Sequence, residues 1–276
     1  MSILLVVAYL LPVLLYGNAW RLAVRSAGEA PSSQQVGSGW QLAGLAAHFA
    51  SLWFAFLAGG VPHIGFAPIL SAALWVGVGL LWFEGLRSHV RALRVLILPV
   101  AMLAVVLPWI FPGGDMADHG GGPMFVPHVL VGTLAYAVLL IAAAHAGLMA
   151  SAERALHGGV GSGTPVLARF LDELPPLLVL ERLLFRLIAI GWVLLTLTLV
   201  SGFVFSEEIF GRAVRFEHKT LLALVAWGVF ATLLLGRWLR GWRGRLALRM
   251  TFGGFAVLLL AYAGTRFVLE VLLGRF

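Results

Sequence analysis

FVPHVLVGTLAYAVLLIAAAHAGLMA, residues 125–150, contains no Asp, Glu, Lys or Arg. As a helix it would reach about 39 Å at about 1.5 Å per residue, more than the roughly 30 Å hydrocarbon core of a bilayer. Lipid offers no partners to backbone N–H and C=O groups, so a single spanning stretch must be helical. Composition extends this reading to the whole chain: 61% of its 276 residues are hydrophobic and 11% are charged, against about a quarter charged in soluble domains. Eight segments have the length of a span: Ile3–Trp20, Trp40–Leu57, Phe66–Phe83, Leu93–Phe111, Phe125–Ala150, Leu183–Phe205, Thr220–Leu235 and Met250–Leu273. The expected fold class is an all-α membrane protein, a polytopic bundle of eight transmembrane helices. It forms a single integral membrane domain over residues 1–276, with a polar cytoplasmic connector at 151–182.

The basic residues fall in alternate loops. Arg21 and Arg25 follow the first span, and Arg87, Arg91 and Arg94 follow the third. Arg154, Arg169, Arg182 and Arg186 follow the fifth, and Arg237, Arg240, Arg243, Arg245 and Arg249 follow the seventh. The positive-inside rule makes these loops cytoplasmic and places both termini outside. The net charge of +7 is thereby a topology signal directed at the lipid bilayer, and nucleic acid is not an expected partner. Trp238-Leu239-Arg240-Gly241-Trp242-Arg243-Gly244-Arg245 reads as an inner-surface anchor. The first span runs through Asn18-Ala19-Trp20 into Arg21 without a small-residue cleavage site, so no cleaved signal peptide is expected there. The chain has no cysteine, which excludes disulfides, thiolate-bound zinc, iron–sulfur clusters and covalent CxxCH haem within it.

With that orientation His128 and His218 head the fifth and seventh spans, on the outer side. His63 and His119 also belong to outer loops, His89 and His157 to cytoplasmic ones, and His145 lies near the inner surface. His48 sits in the middle of the second span, with no opposite charge in that span. Such a residue needs a hydrogen-bond partner or a metal. Gly44 precedes His48 by one turn and Gly132 follows His128 by one turn. Their missing side chains would admit either a flat ligand or a neighbouring helix.

Three readings compete for His128 and His218. They could be interfacial histidines facing headgroups. They could hold a divalent metal with Glu217, or with Asp115, Asp118 and His119. Or they could bind haem iron axially, with Lys219 or Arg266 as the cation for a propionate. Arg266 lies inside the last span with Glu270 four residues on, a spacing that suits an intrahelical ion pair as well as an anion partner. No GxGxxG, phosphate loop, nucleophile elbow or paired-carboxylate pattern is present, so no catalytic residues are expected. Two other functions stay open: a metal or proton-coupled transporter using His48 and Arg266, and a haem-independent regulatory scaffold acting through cytoplasmic loops.

Three stretches carry a family likeness: His128-Val-Leu-Val-Gly132-Thr-Leu-Ala-Tyr136-Ala, Pro175-Pro176-Leu-Leu-Val-Leu-Glu181-Arg182, and Gly241-Trp242-Arg243-Gly244-Arg245 with Ala261-Tyr262-Ala-Gly264-Thr-Arg266-Phe. Together they resemble the cytochrome-c assembly superfamily of membrane haem handlers (CcsA, CcmC, CcmF), and within it the YpjD/HemX-like branch. The resemblance implies that His128 is an outer haem ligand and that His48 corresponds to the membrane histidine of an early span. The tryptophan-rich Trp-Trp-Asp segment of the cytochrome-c synthases is missing ahead of Phe216-Glu217-His218-Lys219. Their second membrane histidine falls at Leu235. His218 as the opposite ligand is thus an inference from its position, not from the likeness. The expectation is non-covalent binding of haem b in the bacterial inner membrane. The role would be haem handling or cytochrome-c biogenesis without synthase chemistry, with cytochrome-c biogenesis or haem-synthesis proteins as partners.

Overall fold

The apolar runs fold as helices, which satisfy their backbone polar groups internally. The computed structural model describes residues 3–25, 31–57, 63–84, 91–112, 114–115, 125–157, 176–210 and 218–264. Its helices are α1 (Ile3–Arg25), α2 (Pro31–Leu57), α3 (Phe66–Glu84), α4 (Arg91–Ile110), α5 (Phe125–His157), α6 (Leu177–Phe210), α7 (His218–Arg240) and α8 (Arg245–Leu259). The last continues as a π-helical turn, Leu260–Gly264. Two short antiparallel strands, β1 (His63–Ile64) and β2 (Gly114–Asp115), pair His63 with Asp115. Arg266, His89, His119, Asp118, Glu217 and the connector residues 158–175 lie outside the described residues.

Six of these helices, α1 and α3 to α7, are long and apolar enough to cross a bilayer, and the chain is a multi-pass membrane protein. Among the described residues, the second and eighth of the expected spans are not in that set. α2 opens on Pro31-Ser32-Ser33-Gln34-Gln35 and carries Gln41, His48 and Ser51 among its apolar residues. α8 is described for 15 residues before its π turn. Other helices run past the expected ends: α6 starts at Leu177 instead of Leu183, and α5 reaches His157 instead of yielding to a loop. At α6 the N–H groups of Val179 and Leu180 bond Pro176 O at 2.8 and 3.3 Å, since a proline suits the start of a helix where no N–H is needed.

Side-chain bonds show which helix ends share a side of the bundle. Trp20, late in α1, donates from Nε1 to Val95 O at the start of α4 at 3.2 Å. Trp82, late in α3, donates to Ser38 O in α2 at 3.1 Å. Glu153, late in α5, meets Arg245 at the start of α8 at 2.9 Å, and Glu181, early in α6, pairs with Arg237, late in α7. These contacts group the helix ends that flank the arginine-bearing connections. At the opposite ends, Tyr9 stacks on Trp109 with centroids 6.2 Å apart, and Phe66 meets Phe111 at 5.3 Å. The β1–β2 pair also belongs there, since it joins the α2–α3 and α4–α5 connections.

α5 divides the interior. Ile141 and Leu148, seven residues apart and so on one helix face, belong to a cluster with Tyr16, Leu74, Val78, Leu98 and Val105 from the first four helices. Ala135, Leu139, Ala142, Ala146 and Met149 occupy another face, clustered with Leu184, Ile188, Phe230, Leu233 and Leu258. Small residues permit the close approach of α5 to α6, the most extensive helix pair in the molecule.

The α7–α8 connection is a tight hairpin. Gly241 and Gly244 have φ of 66° and 60°, left-handed values that glycine adopts without a Cβ penalty. Gly241 N–H caps α7 by bonding Arg237 O at 3.1 Å, and Trp242 N–H bonds Gly236 O at 3.2 Å. The Trp242 ring lies on Gly236, where any Cβ would overlap it. Arg237 is held three ways: by Glu181, by Trp242 O at 3.3 Å and by the Phe185 ring 4.7 Å below its guanidinium carbon.

Glu181 and Arg237 have side chains 10% and 31% exposed, so removing one partner strands a partly desolvated charge. Glu181→Leu should destabilise the protein by about 1–3 kcal/mol, while the Glu181→Leu/Arg237→Met double variant recovers most of the loss. Thermal unfolding in detergent checks this; equal melting of the single and double variants would contradict a coupled pair.

Candidate functional site

His128 lies in the first turn of α5, one residue after Pro127, and is partly buried against α6. Its Nδ1 is 2.9 Å from Ser201 Oγ. Ser201 donates its single proton to Thr198 O at 3.1 Å, so its oxygen acts as acceptor toward the imidazole. With that hydroxyl so committed, Nδ1–H is the donor toward Ser201, and the Thr198 carbonyl also bonds the imidazole. This is the tautomer in which Nε2 serves as a metal ligand while Nδ1–H is held by an oxygen acceptor. Gly202 gives the ring its room: a Cβ there would come within 3.2 Å of His128 Cε1. Lys219, at the start of α7, is exposed and within electrostatic reach of His128.

His218 opens α7 and is exposed, beside Lys219. Gly132 lies against Thr198, whose Cγ2 would be 3.4 Å from a Cβ at that position; its missing side chain admits a helix. Tyr136 lies deeper, and its hydroxyl donates to Leu258 O at 2.5 Å, just before the π-helical turn of α8. π turns interrupt the regular helix register and are frequent near functional sites. Trp192 of α6 stacks on Trp227 of α7, with centroids 5.5 Å apart, and Trp227 Nε1 donates to Thr196 Oγ1 at 2.8 Å. Trp192 Nε1 is buried with no hydrogen-bond partner.

His48 forms a separate site in the other half of the bundle. It is fully buried, with Nδ1 3.2 Å from Tyr16 Oη and Nε2 2.9 Å from Ser71 Oγ. One of the two hydroxyls donates and the other accepts, so α1, α2 and α3 are fastened through one imidazole. Ser51 Oγ adds a bond to His48 O at 2.7 Å, and Trp75 Nε1 bonds Leu45 O at 2.9 Å. The space beside Gly44 is filled by Tyr16, whose Cδ1 would be 2.5 Å from a Cβ there. Of the two occupants considered for the glycine notches, both notches hold a neighbouring helix. His145 is likewise buried, its Nε2–H donating to Leu180 O at 2.9 Å while Nδ1 has no partner. Among the described residues no group of three or more His, Cys, Asp or Glu comes together to hold a metal ion.

Sequence reasoning missed Ser201, Ser71 and Tyr16. Each is an isolated polar residue in an apolar span, and the only available signal was that such a residue must find a partner across a helix interface. Both His128 and His48 carry imidazole chemistry, but His48 has both ring nitrogens bonded to hydroxyls of neighbouring helices, whereas His128 is oriented through Nδ1 at the head of its helix. His128 is partly buried and Lys219 lies within electrostatic reach, the features a haem edge with its propionates would require.

Tyr16→Phe removes one of the two bonds to His48 and should cost about 0.5–2 kcal/mol, the range for hydrogen bonds inside a membrane. Gly44→Ala should cost at least as much, because it displaces the same tyrosine. Melting temperatures in detergent test both; a Tyr16→Phe protein as stable as the parent would show that the bond does not hold the helices.

Residues 40–273 match the family described as cytochrome C assembly protein. Over 135 residues the chain is 33% identical to the inner membrane protein YpjD of Escherichia coli K12, covering 48% of each chain, and it matches YpjD of E. coli O6:H1 and O157:H7 to the same extent. The chain thus aligns with about half the length of the curated relatives it matches. No solved structure matches it significantly. Because the family match runs from Trp40 in α2 almost to the end of the sequence, taking in both histidine sites and the α7–α8 hairpin, this chain belongs to the cytochrome C assembly protein family.

Proposed function

We propose that this protein binds b-type haem non-covalently at the outer end of α5, with His128 Nε2 as an axial ligand, and acts in haem handling for cytochrome-c biogenesis. The observation that carries the reading is the relay from His128 Nδ1–H to Ser201 Oγ and from Ser201 O–H to Thr198 O, at 2.9 and 3.1 Å. It orients the imidazole before any ligand arrives, which lowers the cost of binding. When bound, haem would supply the redox-active iron and the group to be transferred or sensed. Lys219 is the proposed cation for a propionate. His218, exposed and adjacent to Lys219 at the head of α7, is the proposed opposite ligand, and Arg266 a second propionate partner.

His48 has a different standing. Both its nitrogens bond hydroxyls, so iron would have to displace Tyr16 or Ser71. In this reading His48 ties the first three helices together, and ligation there requires α1 or α3 to move. The E. coli relatives are named as inner membrane proteins. The same location is proposed here, with the arginine-bearing loops cytoplasmic, both termini outside and no synthase chemistry.

Protein purified from haem-sufficient cells should show a Soret band that shifts on reduction and is lost in His128→Ala. Ser201→Ala should weaken haem affinity about 10–100-fold, the usual effect of removing a residue that orients a ligand. His218→Ala should turn a low-spin spectrum high-spin. A colourless parent protein after haem supplementation would overturn the proposal, and an unchanged spectrum in His218→Ala would remove that residue from the site.

A further inference from the structure

The α7–α8 hairpin separates two indoles that are only four residues apart. Trp242 turns inward onto Gly236, whereas Trp238 is 81% exposed and its neighbour Leu239 is 68% exposed. The carboxylates beside the hairpin are already engaged, Glu181 by Arg237 and Glu153 by Arg245. Arg240 and Arg243 are exposed, and no carboxylate pairs with either among the described residues. Arg243 is steadied by a bond from Nε to Gly241 O at 3.4 Å, which leaves its terminal N–H groups for another acceptor. These side chains project from a backbone fixed by two left-handed glycines and the α7 cap.

An apolar pair and two unpaired guanidiniums at the end of a spanning helix match the two parts of a lipid in chemistry. The indole and leucine suit the upper acyl chains, and the guanidiniums suit phosphate oxygens, which they bind in bidentate fashion. A general anchor would need only the aromatic belt. Here the neighbouring acids are neutralised within the protein, so the remaining positive charge is directed outward at one place.

We propose that the hairpin of Trp238, Leu239, Arg240 and Arg243 is a binding site for an anionic phospholipid of the leaflet that faces the arginine-rich loops. The bound lipid would brace the junction of α7 and α8 and so the bundle half that includes α5 and α6. This site is independent of haem.

The test is native mass spectrometry of the full chain released from nanodiscs containing phosphatidylglycerol and phosphatidylcholine in equal amounts. Phosphatidylglycerol should be retained in preference. The Arg240→Gln/Arg243→Gln variant should lose that preference by on the order of tenfold or more, given the contribution of each arginine near an anionic surface, and Trp238→Ala should reduce retention of the same lipid. Both variants alter exposed side chains, and an unshifted melting temperature in detergent without added lipid verifies folding. Equal retention of the two lipids by the parent protein would overturn the proposal, as would an undiminished preference in the double arginine variant. Displacement of the lipid by millimolar inorganic phosphate would also overturn it, by making free phosphate the ligand.

Discussion

A polar group carried into hydrocarbon has no water to return to, and the fold is organised by where each one finds its partner. The helices satisfy their own backbones, so the few polar side chains act as cross-links between them. Trp75 reaches the Leu45 carbonyl, Tyr136 the Leu258 carbonyl, His145 the Leu180 carbonyl and Trp227 the Thr196 hydroxyl. Apolar packing in lipid cannot choose among neighbours as strongly as it does in water, because lipid tails are as greasy as leucine. These bonds, together with small-residue contacts, define which helices meet and at what depth.

The same rule gives the two principal histidines opposite characters. His48 is enclosed by hydroxyls on both nitrogens and fastens three helices. His128, at the head of α5, has Nδ1 against a serine whose own proton is committed to the Thr198 carbonyl. A ring bonded at both nitrogens inside the bundle is prepared for stability; a ring oriented from a neighbouring helix at the head of a span is the one proposed to meet a ligand. At the arginine-bearing end, Glu181, Arg237, Phe185 and Trp242 form a further junction. It joins two of the three stretches on which the family likeness was recognised, Pro175–Arg182 and Gly241–Arg245, although about sixty residues separate them in sequence.

Much of the architecture was legible because its signals are long. An uncharged run of spanning length has one stable form in lipid, and the spacing of arginine-bearing loops separated one end of the bundle from the other. The second and eighth segments were harder to read. Gln41, His48 and Ser51 dilute the hydropathy of α2, and α8 begins in a turn that follows α7 almost at once. The site was legible in part: His128 stood out as an ionisable residue at the head of an apolar span. Ser201, Ser71 and Tyr16 did not, since an isolated hydroxyl in a greasy helix says that it needs a partner without saying which.

Sequence by itself determined that this chain is a helical membrane protein, that its basic loops alternate, and that His128 and His48 require an explanation. Those conclusions rest on properties of single segments: length, charge and the cost of an imidazole in lipid. Only the tertiary structure decided that Tyr16 fills the notch at Gly44, that Thr198 lies beside Gly132, and that Ser201 orients the ring of His128. It also turned one tryptophan of the α7–α8 hairpin inward and the other outward. These are choices between partners on different helices. A membrane helix presents several similar small or polar positions around its circumference, and the choice is made only when whole helix faces dock.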